Sequence, residues 1–458
     1  MFEKKYCDRT RSSLFGACGM FALVSVLFLA VVLMFAGCAS RALENASDDL
    51  EDVAQVQRSQ AFHDKYSLEK VIVLSRHNIR SPLSDPGSIL GKVTTHEWFE
   101  WTSAPSELSL RGGVLETIMG QYFRKWLISE RLISENHQPK DGEMRFYANS
   151  MQRTIATAQY FSSGMLPVAN VRIEHAYAPS KMDDVFNPQL TFISEDFEKT
   201  ALKQIDSLAG NGGLAGIGGR LLPAYKVLER TLDFDKSLYA KEFSEHFKTD
   251  DTKVILALYK EPSMAGSLKI ATAASDALVL QYYEEPDSLK AAFGHELSMK
   301  DWEDIASIKD VYTDVLFTAP AVARNAARPL LSLMMSEILD PVRKFTFLCG
   351  HDSNIASVLA ALGVQAYSLP GAIEKKTPIG SKLVIEVWKS ASGGKYVSFM
   401  LVYQTVQQLR DCSLLTLDNP PAKYVVRLSD MPRNSDGLYR LEDVLGRFSQ
   451  AVSDAEVQ

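Results

Sequence analysis

The chain has 458 residues, 46% of them hydrophobic and 10% aromatic, enough apolar material for a large core and for two domains. With 49 Lys and Arg against 56 Asp and Glu it carries a formal net charge of −7, which excludes nucleic-acid binding by bulk electrostatics, so any phosphate must be met by a local cluster of bases. Of its 5 cysteines only Cys349 and Cys412 lie beyond Cys38, which excludes a scaffold built on disulfides.

At the N-terminus Lys4, Lys5, Arg9 and Arg11 precede an uncharged stretch that is densely apolar from Met20 to Ala36, the pattern of a secretory signal with a basic leading region. It ends in Phe35, Ala36, Gly37 and Cys38, similar to a bacterial lipoprotein cleavage site. Residues 1–37 are therefore expected to be a signal peptide and Cys38 the lipidated first residue, with an uncleaved membrane anchor as the alternative. Ala39 after the cysteine favours an outer membrane, facing the periplasm, by resemblance to lipoprotein sorting signals. Residues 38–66 are polar and acidic and read as a tether.

Val71, Ile72, Val73 and Leu74 form an apolar, mostly β-branched run, predicting a strand buried on both faces in a mostly parallel sheet. The run breaks into Arg76, His77, Asn78, Arg80 and Pro82 at the carboxyl end of the strand, where open α/β sheets bind ligands. Guanidiniums flanking an imidazole make an anion site with a nucleophile in it. Trp98 and Trp101 are expected in a loop over the rim, and a helix is predicted from Ser109, with Leu115, Ile118, Met119, Tyr122, Phe123, Trp126 and Leu127 recurring at helical spacing. Met144–Ala148 reads as a strand, after which Asn149 and Ser150 are expected to cap a helix holding Arg153 at the same sheet edge.

From residue 186 to 319 long amphipathic stretches replace the alternation, predicting a helical insertion between the halves of an α/β domain at 67–185 and 320–458. The glycine-rich run Gly210–Gly219 lacks the strand and the Lys-Ser/Thr of a nucleotide loop and is expected to be flexible. Phe345–Gly350 is a second short apolar run, ending in His351 and Asp352 before a helical pattern. Lys382–Trp388 and Tyr396–Tyr403 read as an antiparallel hairpin at the sheet edge. His63, His96, His137, His175, His246 and His295 are scattered without the spacing of a ligand set and read as surface or structural, so no metal or cofactor is expected.

Two strands that each end in a histidine, one with arginines and one with a carboxylate, resemble the histidine acid phosphatases, branch 2 of the histidine phosphatase superfamily, which includes bacterial phytases and glucose-1-phosphatases. The likeness to the glucose-1-phosphatase-like members extends to Leu110–Glu116, Tyr147–Gln159, Leu280–Glu284, Val322–Asn325, Gly350–Ala356 and Thr377–Gly380. It implies a three-layer α/β/α sandwich with a helical insertion and metal-independent hydrolysis of sugar phosphates through a phosphohistidine. Inositol phosphates are the alternative substrate, and a catalytically dead binding lipoprotein the reading from another class. By resemblance His77 is the nucleophile, Asp352 the proton donor, and Arg76, Arg80, Arg153 and His351 hold the phosphate. Glu261 aligns with a sugar-binding carboxylate, and Asn78, where most relatives have Gly, would narrow the pocket mouth. Asp352 is expected to start protonated, its pKa raised by burial beside an anion.

Overall fold

The computed structural model describes residues 58–83, 88–176 and 181–457; the signal, Cys38 and most of the tether lie outside them. Seven strands form the main sheet: β1 (Tyr66–Arg76), β2 (Met144–Ala148), β5 (Phe345–Gly350), β6 (Lys382–Ser390), β7 (Lys395–Tyr403), β8 (Ala422–Val425) and β9 (Tyr439–Arg440). Their order is β2-β5-β1-β6-β7-β8, with β9 also pairing β7. The short hairpin β3 (Lys253–Ile255) and β4 (Ser263–Ala265) stands apart.

The sheet is mixed. It is parallel across β2, β5 and β1, the strands that carry the predicted site, and antiparallel from β1 to β6 and onward. The expected mostly parallel character thus holds for the core of the sheet, because β6 and β7 are joined by a tight hairpin that forces reversal, with no helix to cross over. The hairpin is also not the edge, since β8 and β9 cover the outer side of β7.

Val71, Ile72, Val73 and Leu74 are all 0% exposed because successive side chains leave β1 on opposite faces and both faces are covered. Val71 and Val73 meet α1 (Leu110–Ser129) and α2 (Gln152–Met165) through Ile118, Phe123 and Phe161. Ile72 and Leu74 share the opposite core with Leu330 and Leu331 of α7 (Pro320–Leu339), Ile355 and Val358 of α8 (Asp352–Ala361), and Phe448 of α9 (Leu441–Val457). The result is the expected three-layer α/β/α sandwich. Helices α1 and α2 approach unusually closely: a Cβ on Gly120 would fall 2.2 Å from Phe161 O, and one on Gly164 2.2 Å from Thr117 O, so both positions require glycine.

A third core belongs to the helices α3 (Glu195–Leu208), α4 (Gly213–Leu232), α5 (Ser267–Glu284) and α6 (Met299–Phe317). The glycine-rich run is not a flexible loop here. From Gly213 onward it is the first turns of α4, and Gly218 lies so close to Thr249 that a Cβ would come within 2.3 Å of its carbonyl oxygen. Small residues serve close packing at that point. Trp98 and Trp101 pack on this helical core rather than on the rim of the cavity described below.

Candidate active site

The register of the parallel strands assembles the site. Arg76 on β1 is level with Gly350 on β5, and Ala148 on β2 is level with Cys349. The chain continues from each strand end to His77, His351 and Asn149, so these three side chains arise side by side. His77 N–H donates to Gly350 O at 3.1 Å and Asn149 N–H to Cys349 O at 2.9 Å, which extends the ladder into the site. The rings of His77 and His351 are 5.5 Å apart.

Next to them is a cavity of about 310 Å³ lined by His77, Arg80, Arg153, Glu261, Lys309, His351 and Asp352, with Asp276 also in its wall. A larger groove of about 830 Å³ runs along the β2 edge, past Lys140, Arg145 and Arg172, and shares none of these groups.

His77 Nδ1 is 2.9 Å from Asn78 O. A carbonyl only accepts, so Nδ1 carries the proton and Nε2 keeps its lone pair. Burial, then Arg153, Arg80, His351 and Arg76, hold the His77 imidazole well below the usual histidine range and keep it neutral. His351 is likewise held neutral, by burial and Arg153.

Asn149, expected to cap a helix, instead orients His351. Its Oδ1 accepts from Ser150 N at 2.8 Å and Asp183 N at 2.9 Å, which turns Nδ2 toward His351 Nε2, 2.7 Å away. Nε2 of His351 is therefore the acceptor, and the proton of the neutral ring sits on Nδ1. The helix after it begins with Met151 as an N-cap that makes no side-chain bond.

Arg80 Nη2 contacts Asp276 Oδ2 at 2.8 Å, and Lys309 Nζ bridges Asp276 Oδ1 at 2.5 Å and Asp352 Oδ2 at 2.9 Å. Arg76 stands behind the cavity wall, its Nη1 donating to Glu374 Oε1 and Thr377 O at 2.5 Å each and its Nη2 3.7 Å from Asp352 Oδ2. Arg153 is crowded by like charge: burial and Arg80 lower its pKa to about 10. Burial pushes the Asp352 carboxyl up, but Lys309 and Arg76 outweigh it and hold the group well below the usual carboxylate range. The expectation of a protonated Asp352 is thus corrected for the free protein: it is ionised, as its place as first residue of α8 also favours.

A match to the model of branch 2 of the histidine phosphatase superfamily covers residues 67–212. The chain is 37% identical over 392 residues to a glucose-1-phosphatase of Providencia rettgeri, across 84% of this chain and 92% of that one. The chain belongs to branch 2 of the histidine phosphatase superfamily. A Salmonella typhimurium glucose-1-phosphatase is 35% identical over the same share of each chain. The phytase of Citrobacter braakii superposes with a TM-score of 0.76 at 28% identity, covering 85% of this chain and 98% of its own. This histidine phosphatase is accordingly an enzyme, a phosphoric monoester hydrolase.

The structure of this phosphatase brings His77, Arg80, Arg153, His351, Asp352 and Glu261 to one cavity. It does not bring Asn78 there. Asn78 is 0% exposed, and its Nδ2 donates to Glu116 Oε2 at 2.8 Å while its Oδ1 accepts from Ile79 N at 2.9 Å. Its amide cannot narrow the mouth, because it is spent beneath the site on a fully buried ion pair, Glu116 with Lys382 Nζ at 2.8 Å. Glu261, in the 256–262 loop between β3 and β4, reaches the cavity with its residue still largely exposed. Burial of the carboxyl and then Asp352 raise its pKa to about 7, an effect that solvent weakens.

Lys309, Asp276, Glu374 and Asn149 were not found by sequence reasoning. Lys309 and Asp276 sit on amphipathic helices in patterns that any solvated helix face shows, and only Asn149 lay inside a recognisable block. Cys349 and Cys412 are free thiols, and burial pushes the Cys349 thiol well up, leaving it inert beside the site.

Proposed function

We propose that this phosphatase hydrolyses sugar phosphates such as glucose 1-phosphate, with His77 as nucleophile and Asp352 as proton donor. The observation that carries the mechanism is the His77 Nδ1–H bond to Asn78 O, which leaves Nε2 with its lone pair in a cavity walled by Arg80, Arg153 and Lys309. Phosphoryl transfer mainly asks for positioning and neutralisation of oxygen charge, and these cations with His351 meet that need without a metal. Arg76 supports the clamp from behind. Nε2 attacks phosphorus as the ester P–O bond breaks, and the leaving alkoxide takes a proton from Asp352. Water then attacks the phosphohistidine, Asp352 takes its proton, and inorganic phosphate leaves with the Nε2 lone pair restored.

Asp352 must be protonated for the first step. A phosphate dianion among Arg80, Arg153 and Lys309 offsets the field that ionises Asp352, so the carboxylate takes up its proton as the substrate binds. Glu261, which lines the same cavity, accepts hydrogen bonds from sugar hydroxyls, and residues 186–319 act as a cap over an α/β catalytic domain. The relatives named glucose-1-phosphatase support the sugar phosphate; the fold match to a phytase supports inositol phosphates as the second reading. Export with lipidation at Cys38, which would tether the enzyme to an outer membrane facing the periplasm, rests on the N-terminal sequence. No helix of the described residues is long and apolar enough to cross a membrane.

The test is release of inorganic phosphate from glucose 1-phosphate, phytate and an aryl phosphate. Glucose 1-phosphate is expected to give the higher kcat/KM; phytate preferred would promote the second reading. His77→Ala is expected to abolish turnover and phosphoenzyme together. Inactivity of the wild type on all three substrates would favour a dead binding scaffold.

A further inference from the structure

Away from the cavity, the fold gathers two of the histidines that looked scattered in the sequence. His96 belongs to the loop that follows the site-bearing segment, Asp233 is the residue that ends α4, and His295 closes a tight turn after α5. One donor atom from each lies within 4.8 Å of the other two. We propose that His96, Asp233 and His295 form a binding site for a divalent cation of the zinc class, pinning the loop that holds His96 to two segments of the helical region.

The chemistry of the donors selects the ion. Two imidazoles with one carboxylate suit zinc, nickel or copper, whereas calcium and magnesium ask for an all-oxygen shell. Ligand atoms around a tetrahedral zinc, at bonds of about 2.0–2.1 Å, stand roughly 3.4 Å apart, so the trio closes on an ion by small side-chain rotations. His96 Nε2 is already 3.0 Å from Asp233 Oδ2. Yet that nitrogen is buried and makes no aligned hydrogen bond, as expected of two ligands that point at a common third atom rather than at each other.

The first ligand is also held in place before any ion arrives. The His96 ring stacks on Phe293 with centroids 4.8 Å apart and planes 6° from parallel. Its backbone N–H donates to Thr94 Oγ1 at 3.1 Å, and that hydroxyl donates to Leu232 O at 2.6 Å, tying the His96 loop to the end of α4 next to Asp233. The side chains of His96 and Asp233 remain about one quarter exposed, at 27% and 26%, so the remaining coordination positions are open to water. One cation competes: Lys236 Nζ is 3.3 Å from Asp233 Oδ2.

None of these residues lines the catalytic cavity, so metal occupancy and phosphatase turnover are separable. The full chain, stripped with chelator and dialysed, is titrated with Zn²⁺ at neutral pH by calorimetry, and thermal unfolding is followed with and without the ion. One equivalent is expected to bind, and a hundredfold excess over Kd to raise Tm by roughly 3 °C, because only the folded chain brings the donors together. His96→Phe keeps the stack on Phe293 but removes the donor, and His295→Asn removes the second; each is expected to weaken binding at least tenfold. Lys236→Met removes the competing charge and is expected to tighten binding about two- to fivefold. Aryl phosphate turnover without added metal reports that each variant is folded. Absence of a one-equivalent site in the wild type, or unchanged affinity in folded His96→Phe, overturns the proposal.

Discussion

At the scale of single residues, Asn149, buried behind His351, and Glu261, in the cavity wall, make different demands. Asn149 fixes the tautomer of His351 because its Oδ1 is already committed to two backbone donors. In Asn149→Asp the freed position is a second acceptor, which draws a proton onto His351 Nε2 and withdraws the Nδ1–H proposed to hold the phosphate, or charges the ring. Losing one hydrogen bond to a charged group costs about 1.5–3 kcal/mol, so kcat/KM is expected to fall roughly ten- to a hundredfold, with a His351 titration newly visible by NMR. An unchanged His351 signal would show that Asn149 only packs. Glu261 makes a narrower demand. Glu261→Ala is expected to lower kcat/KM for glucose 1-phosphate by a similar factor of about ten to a hundred and to leave an aryl phosphate nearly untouched, since that substrate has no sugar hydroxyls. Equal losses on both would assign Glu261 to the phosphate clamp.

At the scale of elements, the loop after β1 is held from below by a charge pair that links α1 to β6. Lys382 Nζ and Glu116 are both 0% exposed, and Lys382 also donates to Gly380 O at 2.9 Å and Ser75 Oγ at 3.2 Å. Breaking a buried pair by removing one partner leaves an uncompensated charge and costs about 3–5 kcal/mol, whereas replacing both by apolar groups is often near neutral. Lys382→Met is therefore expected to lower the urea midpoint sharply, and Lys382→Met with Glu116→Leu to recover most of it. Because Asn78 donates to Glu116, the double variant is also expected to disturb His77 and to recover stability without recovering kcat. Full recovery of both would mean that the pair serves folding alone.

At the scale of the whole molecule, buried carboxyls of opposite tendency set the response to pH. Asp276 is pushed up by burial but pulled further down by Lys309 and Arg80, to below the usual carboxylate range. It binds protons less readily folded than unfolded, so its stabilisation is present above the unfolded value near about 4 and is lost as pH falls through the lower folded one. Asp310 behaves oppositely. Burial and then Glu374 raise its pKa to about 8, so its contribution is present below about 4 and is lost as pH rises through 8. Asp310 is therefore expected to contribute a decline in stability between about pH 4 and pH 8, opposed by the buried, neutral His77 and His351, and Asp310→Asn to remove that contribution from urea midpoints. A parallel decline in the variant would remove Asp310 as its source. Activity is expected to persist near pH 5, where an ordinary imidazole is about 97% protonated, because burial and then the arginines keep His77 neutral. An acid limb with an apparent pKa near 6.5 would contradict that protection.

The doubly covered strand and the two strand ends were legible from the chain alone, because a strand covered on both faces writes a continuous apolar run and each run here stops at a histidine, whereas the three-layer sandwich was implied by the family resemblance. The helix from Ser109 and the strand at Met144–Ala148 were legible for the same local reason, alternation or helical spacing of apolar residues. Glycine is ambiguous in such a reading: the same run suits a loop or a close helix contact, and only the approach of Thr249 to Gly218 decides between them. The ionised state of Asp352, the bridge made by Lys309, the burial of Asn78 and the meeting of His96 with His295 were decided by tertiary structure alone. Each depends on groups from separate elements brought within a few ångströms, where coulombic interaction outweighs anything a side chain's neighbours in sequence can impose.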